Sequence, residues 1–320
     1  MDGGLKGVRI RPFAPGDEEG INASFNRAFG LERTLADWYW KFPAAPPGRW
    51  VWVAATDEGR ILAHYAAVPV TVQIDGLTLL AGQGVDAFAV PEVQGTGLYT
   101  RTVQAFYAAC GGSQGLAVSY VLPGPRSARI FADRLGFEPL SEPGLWRRSS
   151  SRRAALCTGH QVVEADPDAR ADALWAAAAK RYPVAAVRDA TWLQRRFTGR
   201  PGVRYLHLAA LRQGRVHAWA VARVEEHRVA WAELVWDGAR RGALAALDRA
   251  LVDLARRSKV DTLELWLEGD EAAAAVLRRL GWQRGSPTAA MVLMARSFTP
   301  AVNTDALRRL YLTMGDADLV

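Results

Sequence analysis

The residues able to do chemistry are concentrated in one stretch, Val85–Tyr107, which reads VDAFAVPEVQGTGLYTRTVQAFY. Its apolar run, Val85–Val90, fits a buried strand, and Pro91 ends it. Gln94, Gly95, Thr96, Gly97, Leu98 and Tyr99 then open a helix whose apolar positions (Tyr99, Val103, Phe106, Cys110) recur with helical period. Two glycines at a helix start let the backbone turn tightly and come close to a ligand. The N–H groups of the first turn have no helical partners and point at that ligand, and the helix dipole favours negative charge there. The chemistry this pattern offers is phosphate binding, the alternative being an ordinary strand–helix turn. Asp86 is the second anomaly. A carboxylate inside an apolar strand is costly unless it is paired, used, or turned to solvent at the strand start.

The chain has 320 residues, enough for about two domains. Half of it is hydrophobic and 23% is charged, an ordinary globular composition. No apolar run has the length of a membrane span, and the N-terminal MDGGLKGVRIRPF lacks the apolar core of a signal peptide. Cys110 and Cys157 show no metal or redox spacing, and the five histidines are isolated, so a cytoplasmic protein without a metal site is expected. The net charge of +7 comes from arginine. It suits a polyanionic cofactor. It also suits nucleic acid, but a nucleic-acid footprint needs a clustered patch, and none is apparent.

A strand at Val8–Ile10 leads into a helix carrying Ile21, Phe25 and Phe29, then a short aromatic helix around Trp38–Phe42. Strands follow at Trp50–Ala55, Ile61–Val72 and Leu77–Ala81, before the Val85–Tyr107 stretch. Leu116–Leu122 is a further strand and Ser127–Leu135 a helix closed by Gly136. The Arg/Ser-rich region after residue 147 reads as irregular linker. The second half then repeats the first. Phe42 meets Phe197 at an offset of 155 (197 − 42), and at the same offset Ala54-Ala55 meet Ala209-Ala210 and Gly59-Arg60 meet Gly214-Arg215. Arg134-Leu135-Gly136-Phe137 meets Arg279-Leu280-Gly281-Trp282 at 145 (279 − 134). Gln94–Tyr99 falls on Arg240–Ala245, where the glycine pair is missing. The expected organisation is a domain over 1–150, a linker over 151–165, a degenerate second copy over 166–298 and a tail over 299–320.

With Val90-Pro91-Glu92 and Gln94-Gly95-Thr96-Gly97 in this order of elements, the chain resembles the GNAT acetyltransferases, whose Arg/Gln-x-x-Gly-x-Gly/Ala loop binds the pyrophosphate of acetyl-CoA. Ile130–Phe137, ending in Leu-Gly-Phe, resembles the family's closing helix. Tyr99 departs from the pattern at the final Gly/Ala position, as in the Eis-like aminoglycoside acetyltransferases, and the tandem layout looks like mycothiol synthase. The resemblance implies an α+β protein of two tandem GNAT folds, each a mixed, mostly antiparallel twisted sheet flanked by helices. It implies an acyl-CoA-dependent transferase in which an amine attacks the thioester directly.

On that reading Gln94, Gly95, Thr96, Gly97, Leu98 and Tyr99 hold the pyrophosphate, backbone groups of Phe88, Ala89 and Val90 hold the pantetheine arm, and Ser127 meets the CoA chain, or else caps its helix. Asp86 is the candidate base. Tyr120 is the candidate acid, because the family's usual helix tyrosine is Ala132 here. The alternative for Asp86 is a solvent-facing strand start, for Tyr120 a packed tyrosine, and for His64 on the long strand a packing or surface role. The tail, with Leu307–Leu312 and the acidic Asp316 and Asp318, either docks back or frays. The expected partner is a small-molecule amine, with homo-oligomerisation left open. A Fem-like aminoacyl-tRNA-dependent transferase and a non-catalytic CoA-binding protein are the competing readings.

Overall fold

The computed structural model describes residues 7–42, 50–152, 159–285 and 291–318. The chain divides into two compact units. The first comprises Met1–Thr71, Leu79–Ser141 and Val292–Asp305, and the second comprises Val72–Thr78, Glu142–Met291 and Ala306–Val320. Both are α+β, each with a mixed, mostly antiparallel sheet flanked by helices.

The first half of the chain runs β1 (Val8–Pro12), α1 (Asp17–Phe29), α2 (Leu35–Lys41), β2 (Val51–Thr56), β3 (Ile61–Ile74), β4 (Leu77–Ala89), α3 (Leu98–Cys110), β5 (Val118–Val121), α4 (Pro125–Leu135) and β6 (Glu138–Ser141). The second half runs β7 (Leu145–Ser149), β8 (Gln161–Glu164), α5 (Ala169–Ala178), β9 (Val184–Ala186), α6 (Ala190–Phe197), β10 (Leu206–Arg212), β11 (Arg215–Val224), β12 (Val229–Trp236), α7 (Arg241–Arg257), β13 (Thr262–Trp266), α8 (Glu271–Arg279), β14 (Gln283–Gly285), β15 (Leu293–Ser297) and β16 (Leu310–Tyr311).

In the first unit the strand order is β1-β2-β3-β4-β5-β15-β6. The one parallel pairing in that row is β4 with β5, and it is short: Ala81, Gly82 and Gln83 face Val118, Ser119 and Tyr120. That pairing ends at Gln83 and Tyr120, and β4 continues through Ala89 without β5 at its edge. Side chains alternate across the sheet. One face of β3 and β4 packs with α1 and α2 (Ile21, Trp38, Phe42, Ala66, Val85, Phe88), and the other packs with α3 and α4 (Tyr65, Ala67, Val103, Phe106, Phe131).

The second unit's order is β8-β10-β11-β12-β13-β7-β14, with β12 and β13 the parallel pair. The two rows have the same plan, strand for strand, and the repeat seen in the sequence is visible in the elements. β2 and β10 begin 155 residues apart (206 − 51), and β6 and β14 begin 145 apart (283 − 138). The sixth strand of each row breaks simple chain order. β15, late in the chain, pairs antiparallel with β5 and β6 of the first unit, and β7, directly after β6, pairs antiparallel with β13 and β14 of the second. The units are therefore not the consecutive segments 1–150 and 166–298, since 293–297 returns to the first.

The linker expected over 151–165 is likewise partly sheet. Gln161–Glu164 is β8, paired with β10, and the arginine-rich run just before it lies in β7. Arg148 is buried and holds the buried Asp248 carboxylate, which also accepts the Trp282 indole N–H at 2.8 Å. Arg147 pairs with Glu264 at 2.7 Å. These arginines read as solvated because their partners are about a hundred residues further on in the chain. Cys157 and the rest of 153–158 lie outside the described residues. Among the described residues, no helix is long and apolar enough to cross a membrane.

The tail docks within the second unit. β16 pairs with β9, and Thr313 and Asp316 form a reciprocal cap around the Met314–Asp316 turn. Asp316, Glu233 on β12 and Arg188 just before α6 are all buried together. Burial pushes Glu233 up to about 7, against the pull of Arg188 and with the added push of Asp316. One guanidinium between two carboxylates in a dry site retains a proton that the unfolded chain would release. The folded state thus binds more protons than the unfolded state between Glu233's ordinary 4.5 and about 7. Its stabilising contribution is complete below that window and is lost as pH rises through it. The melting temperature of the protein is expected to fall from about pH 5 to about pH 8, and Glu233→Gln is expected to flatten that slope. Equal slopes for the two proteins would show that the proton is not held there.

Candidate active site

The glycine turn is set by its backbone conformation. After the short 3-10 turn Pro91–Val93, both Gly95 and Gly97 adopt φ of +80°, the left-handed region that side chains resist. A Cβ built on either one would meet no atom within 4 Å. The space beyond the loop is open, so here glycine is needed for the backbone turn and not to avoid a clash.

The helix behind the turn is anchored from below. Leu98, Val103 and Phe106 are buried at 1% exposure or less. Each side chain of this kind contributes about 1.5–3 kcal/mol on burial, whereas a side-chain N-cap contributes about 1 kcal/mol. α3 therefore does not depend on a cap, and it has none: Gly97 is its N-cap residue, no side chain caps it, and its first turn contains no acid. The Thr96 hydroxyl donates to the Val93 carbonyl at 2.7 Å and accepts from the Leu98 N–H at 3.3 Å, which holds the turn in shape. Glu92 beside the loop is neutralised by Arg27, at 2.7 Å, and by Arg60. The equivalent stretch of the second unit is different. α7 begins at Arg241 after Arg240 in ordinary extended conformation, with no left-handed glycine pair.

Tyr99 turns inward. Its ring packs on the cluster of Tyr65, Val103 and Phe106, and its hydroxyl is buried without a partner among the described residues. Only its backbone faces the turn, which is how the loop accommodates a large residue where the family pattern has a small one. Gln94 is spent on structure, its side-chain amide donating to the Ala89 carbonyl at 3.2 Å.

The strand residues expected to hold the pantetheine divide by alternation. The Val90 N–H donates to the Leu62 carbonyl on β3 at 2.9 Å, and the Val90 carbonyl accepts from Val93 at 3.1 Å. Both of its backbone groups are occupied, so the expectation for Val90 is corrected. Phe88, two residues earlier, shares its direction towards β3, and its ring stacks on His64 at 5.3 Å. Ala89 has the opposite direction, towards the side where β5 has left the sheet. Ser127 is exposed in the first turn of α4, which starts after Gly124 without a side-chain cap, so it is not a capping residue.

Asp86 has a different place from that of a free base. Its φ of +50° breaks the alternation of β4, so Val85 and Phe88 face α1 and α2 while Ala87 faces α3. The carboxylate turns to the α1–α2 side. Arg33 Nη1 reaches one oxygen and Lys41 Nζ the other, each at 2.5 Å. Burial raises its pKa, but Lys41 and Arg33 outweigh burial and bring it down to about 2. A carboxylate with two cations and so low a pKa is a poor acceptor for an amine's proton. The His64 imidazole lies next to it, with Nδ1 donating to the Asp86 carbonyl at 2.7 Å. Burial holds His64 down at about 4, so the ring is neutral. Arg33 and Lys41 escaped sequence reading. The one available signal was that Arg33 and Arg188 share the 155-residue offset of Phe42 and Phe197.

Tyr120 is buried in β5, opposite Gln83 at the last paired position of β4. Its neighbour Ser119 points to the other face, where a chain of hydroxyls runs from Tyr65 through Tyr107 to Ser119 and on to the Gly82 carbonyl. Gly84 is required there. A Cβ would collide with the Tyr65 hydroxyl and stand 2.6 Å from Val121.

Residues 9–140 match the family model of an acetyltransferase (GNAT) domain. No curated protein sequence matches the chain. Among solved structures it is similar to a GCN5-related N-acetyltransferase from Anabaena variabilis, with 11% identity and a TM-score of 0.72 over 91% of this chain and 73% of that one. It is also similar to an Enterococcus faecalis protein described as a probable N-acyltransferase, with 14% identity and a TM-score of 0.67 over 94% of this chain and 74% of that one. Saccharomyces cerevisiae N-myristoyltransferase, solved with bound myristoyl-CoA, matches with 11% identity and a TM-score of 0.63 over 99% of this chain and 90% of that one. At these identities the structural likeness is one of fold, and it extends over both halves of the chain. Residues 9–140 thus match a GNAT acetyltransferase domain, and this match supports an acyltransferase.

Proposed function

We propose that the chain transfers an acyl group, most simply acetyl, from its coenzyme A thioester to a primary amine of a small molecule, and that the cofactor cradle is in the first unit. One observation carries this reading. Two left-handed glycines with open space beyond them precede α3 in the first unit; α7, the matching helix of the second unit, is likewise without a side-chain cap but follows no such pair.

The backbone of Gln94–Tyr99 holds the pyrophosphate against the positive end of α3. The Ala89 N–H, which faces away from β3, holds the arm, its carbonyl being taken by Gln94, and the Ser127 hydroxyl lies exposed for the distal part of the cofactor. Bound there, the thioester supplies an activated carbonyl: the amine nitrogen bonds to the carbonyl carbon, the C–S bond breaks, and its electron pair leaves on sulfur. Tyr120 gives that sulfur its proton. The amine's proton goes to water, because Asp86 is held by two cations. The second unit, without the cradle, is scaffold, in the manner of a degenerate tandem copy.

Calorimetric titration with acetyl-CoA tests this directly. The native protein is expected to bind, and Gly97→Glu, which places a carboxylate where the phosphates would lie and strains the turn, is expected to weaken binding by about 100-fold or more. No binding by the native protein, or equal binding by Gly97→Glu, removes the reading.

A pair of variants separates structure from chemistry. Asp86→Asn leaves two cations without their carboxylate and is expected to destabilise the fold by about 3–5 kcal/mol. If Asp86→Asn instead keeps its melting temperature and loses only turnover, Asp86 is the base after all. Tyr120→Phe is expected to lower kcat on the order of 100-fold with acetyl-CoA affinity kept. Unchanged kcat would remove Tyr120 from the scheme.

A further inference from the structure

The two units hold the same arginine in the same place, but with different company. Arg33 precedes α2 and Arg188 precedes α6, 155 residues apart (188 − 33), and each is followed by the N-cap residue of its helix, Thr34 and Asp189. Each guanidinium holds a carboxylate on the corresponding sheet strand, Asp86 on β4 and Glu233 on β12.

Arg188 is fully satisfied. Nε donates to Glu233 at 3.0 Å, Nη1 donates to the Ala186 carbonyl at 3.0 Å, and Nη2 donates to the Asp316 carboxylate and to the Tyr311 carbonyl. Arg33 is not. Nε donates to Asn22 at 2.7 Å and Nη1 donates to Asp86, but Nη2 is buried with no partner among the described residues. The charge count differs in the same sense. Around Arg188 stand two carboxylates. Among the described residues Arg33 pairs with one carboxylate, Asp86, which it shares with Lys41. A buried guanidinium with an unused charged donor is expensive unless an acceptor completes it.

The surroundings add a second feature. The Arg33 guanidinium lies 3.7 Å over the Phe25 ring, and Phe25 contacts Phe29 at 4.7 Å. Phe29 is 49% exposed and Leu31, between Phe29 and Arg33, is 53% exposed, although both are large apolar side chains. Through Phe25, the Arg33 guanidinium is thus connected to an exposed aromatic ring, Phe29.

We infer that Arg33 is a specificity-determining residue that binds a carboxylate of the acceptor, so that the amine substrate is an amino acid with an apolar side chain. Asp316, donated to Arg188 by the protein's own tail, is the built-in counterpart of that carboxylate in the second unit. The inference rests on the acyl-transfer reading for the role of the ligand, but not for its binding.

The test compares apolar amino acids, among them phenylalanine, leucine and valine, with their carboxamides on the full-length protein. Replacing the carboxylate by an amide removes the charge and keeps the amine. With acetyl-CoA and thiol-release detection, the acids are expected to give a kcat/KM about tenfold or more above the amides, the range a hydrogen bond to a charged group supports. Without acetyl-CoA, the acids and not the amides are expected to raise the melting temperature, and this arm stands even if acyl transfer fails. Arg33→Lys keeps a cation for Asp86 but removes the forked second donor. It is expected to bring the acid-to-amide ratio close to one, with acetyl-CoA binding unchanged. Equal or better response to the amides, no response to either class in both arms, or an unaltered ratio in Arg33→Lys would overturn the inference.

Discussion

A buried arginine holding a carboxylate on a sheet strand is the interaction around which the first unit is arranged. Arg33 and Asp86 are 53 residues apart in sequence and 2.5 Å apart in space. The pair fixes the turn between α1 and α2 against β4 at the point where Asp86 departs from extended geometry. Removing charges from water costs several kcal/mol per ion, and only close geometry with further hydrogen bonds repays it. Here Lys41 takes the second carboxylate oxygen and Asn22 takes the Arg33 Nε, so the cost is met by a network. The consequence for function is spatial. β4 is held firmly on its β3 side, through Val90 and Leu62, while its other edge is released from β5 beyond Gln83.

The same physics decides which parts of the molecule were legible in the sequence. Gly95 and Gly97 declared themselves because a left-handed backbone is a local demand, met by the residue that occupies it. The strands and helices from β2 to α4 were legible through period and turn chemistry, and the second copy through its near-constant offset. What failed was long-range pairing. Arg147 and Arg148 resemble a solvated linker until Glu264 and Asp248 are brought beside them. Nothing local in Leu293–Ser297 says that it joins β5, and nothing local in Leu145–Ser149 says that it joins β13. Asp86 was recognised as anomalous from its apolar neighbours, yet its role was misjudged because the two cations that hold it come from elements far upstream.

The matching strand order of the two units gives the chain an internal comparison for each claim about the site. The glycine turn is present before α3 and absent before α7, so a function that needs it belongs to the first unit. The buried arginine is present in both, so it belongs to the fold, and only its surroundings differ. In the second unit the tail supplies Asp316 and Thr313, and the network is closed. In the first unit the guanidinium retains a donor with no partner among the described residues, next to Phe25. Retained architecture with altered ligation is the pattern expected when one copy keeps the chemistry and the other keeps the shape.

The central claim is that acyl-CoA lies on the backbone of the first unit's glycine turn. Amide hydrogen exchange, followed peptide by peptide with and without acetyl-CoA, tests it most directly. The account requires new protection confined to the turn and first helical residues after Pro91, together with the free edge of β4, and none at Arg240–Ala245. Protection at the start of α7, or none at residues 94–100 when acetyl-CoA is bound, would contradict it.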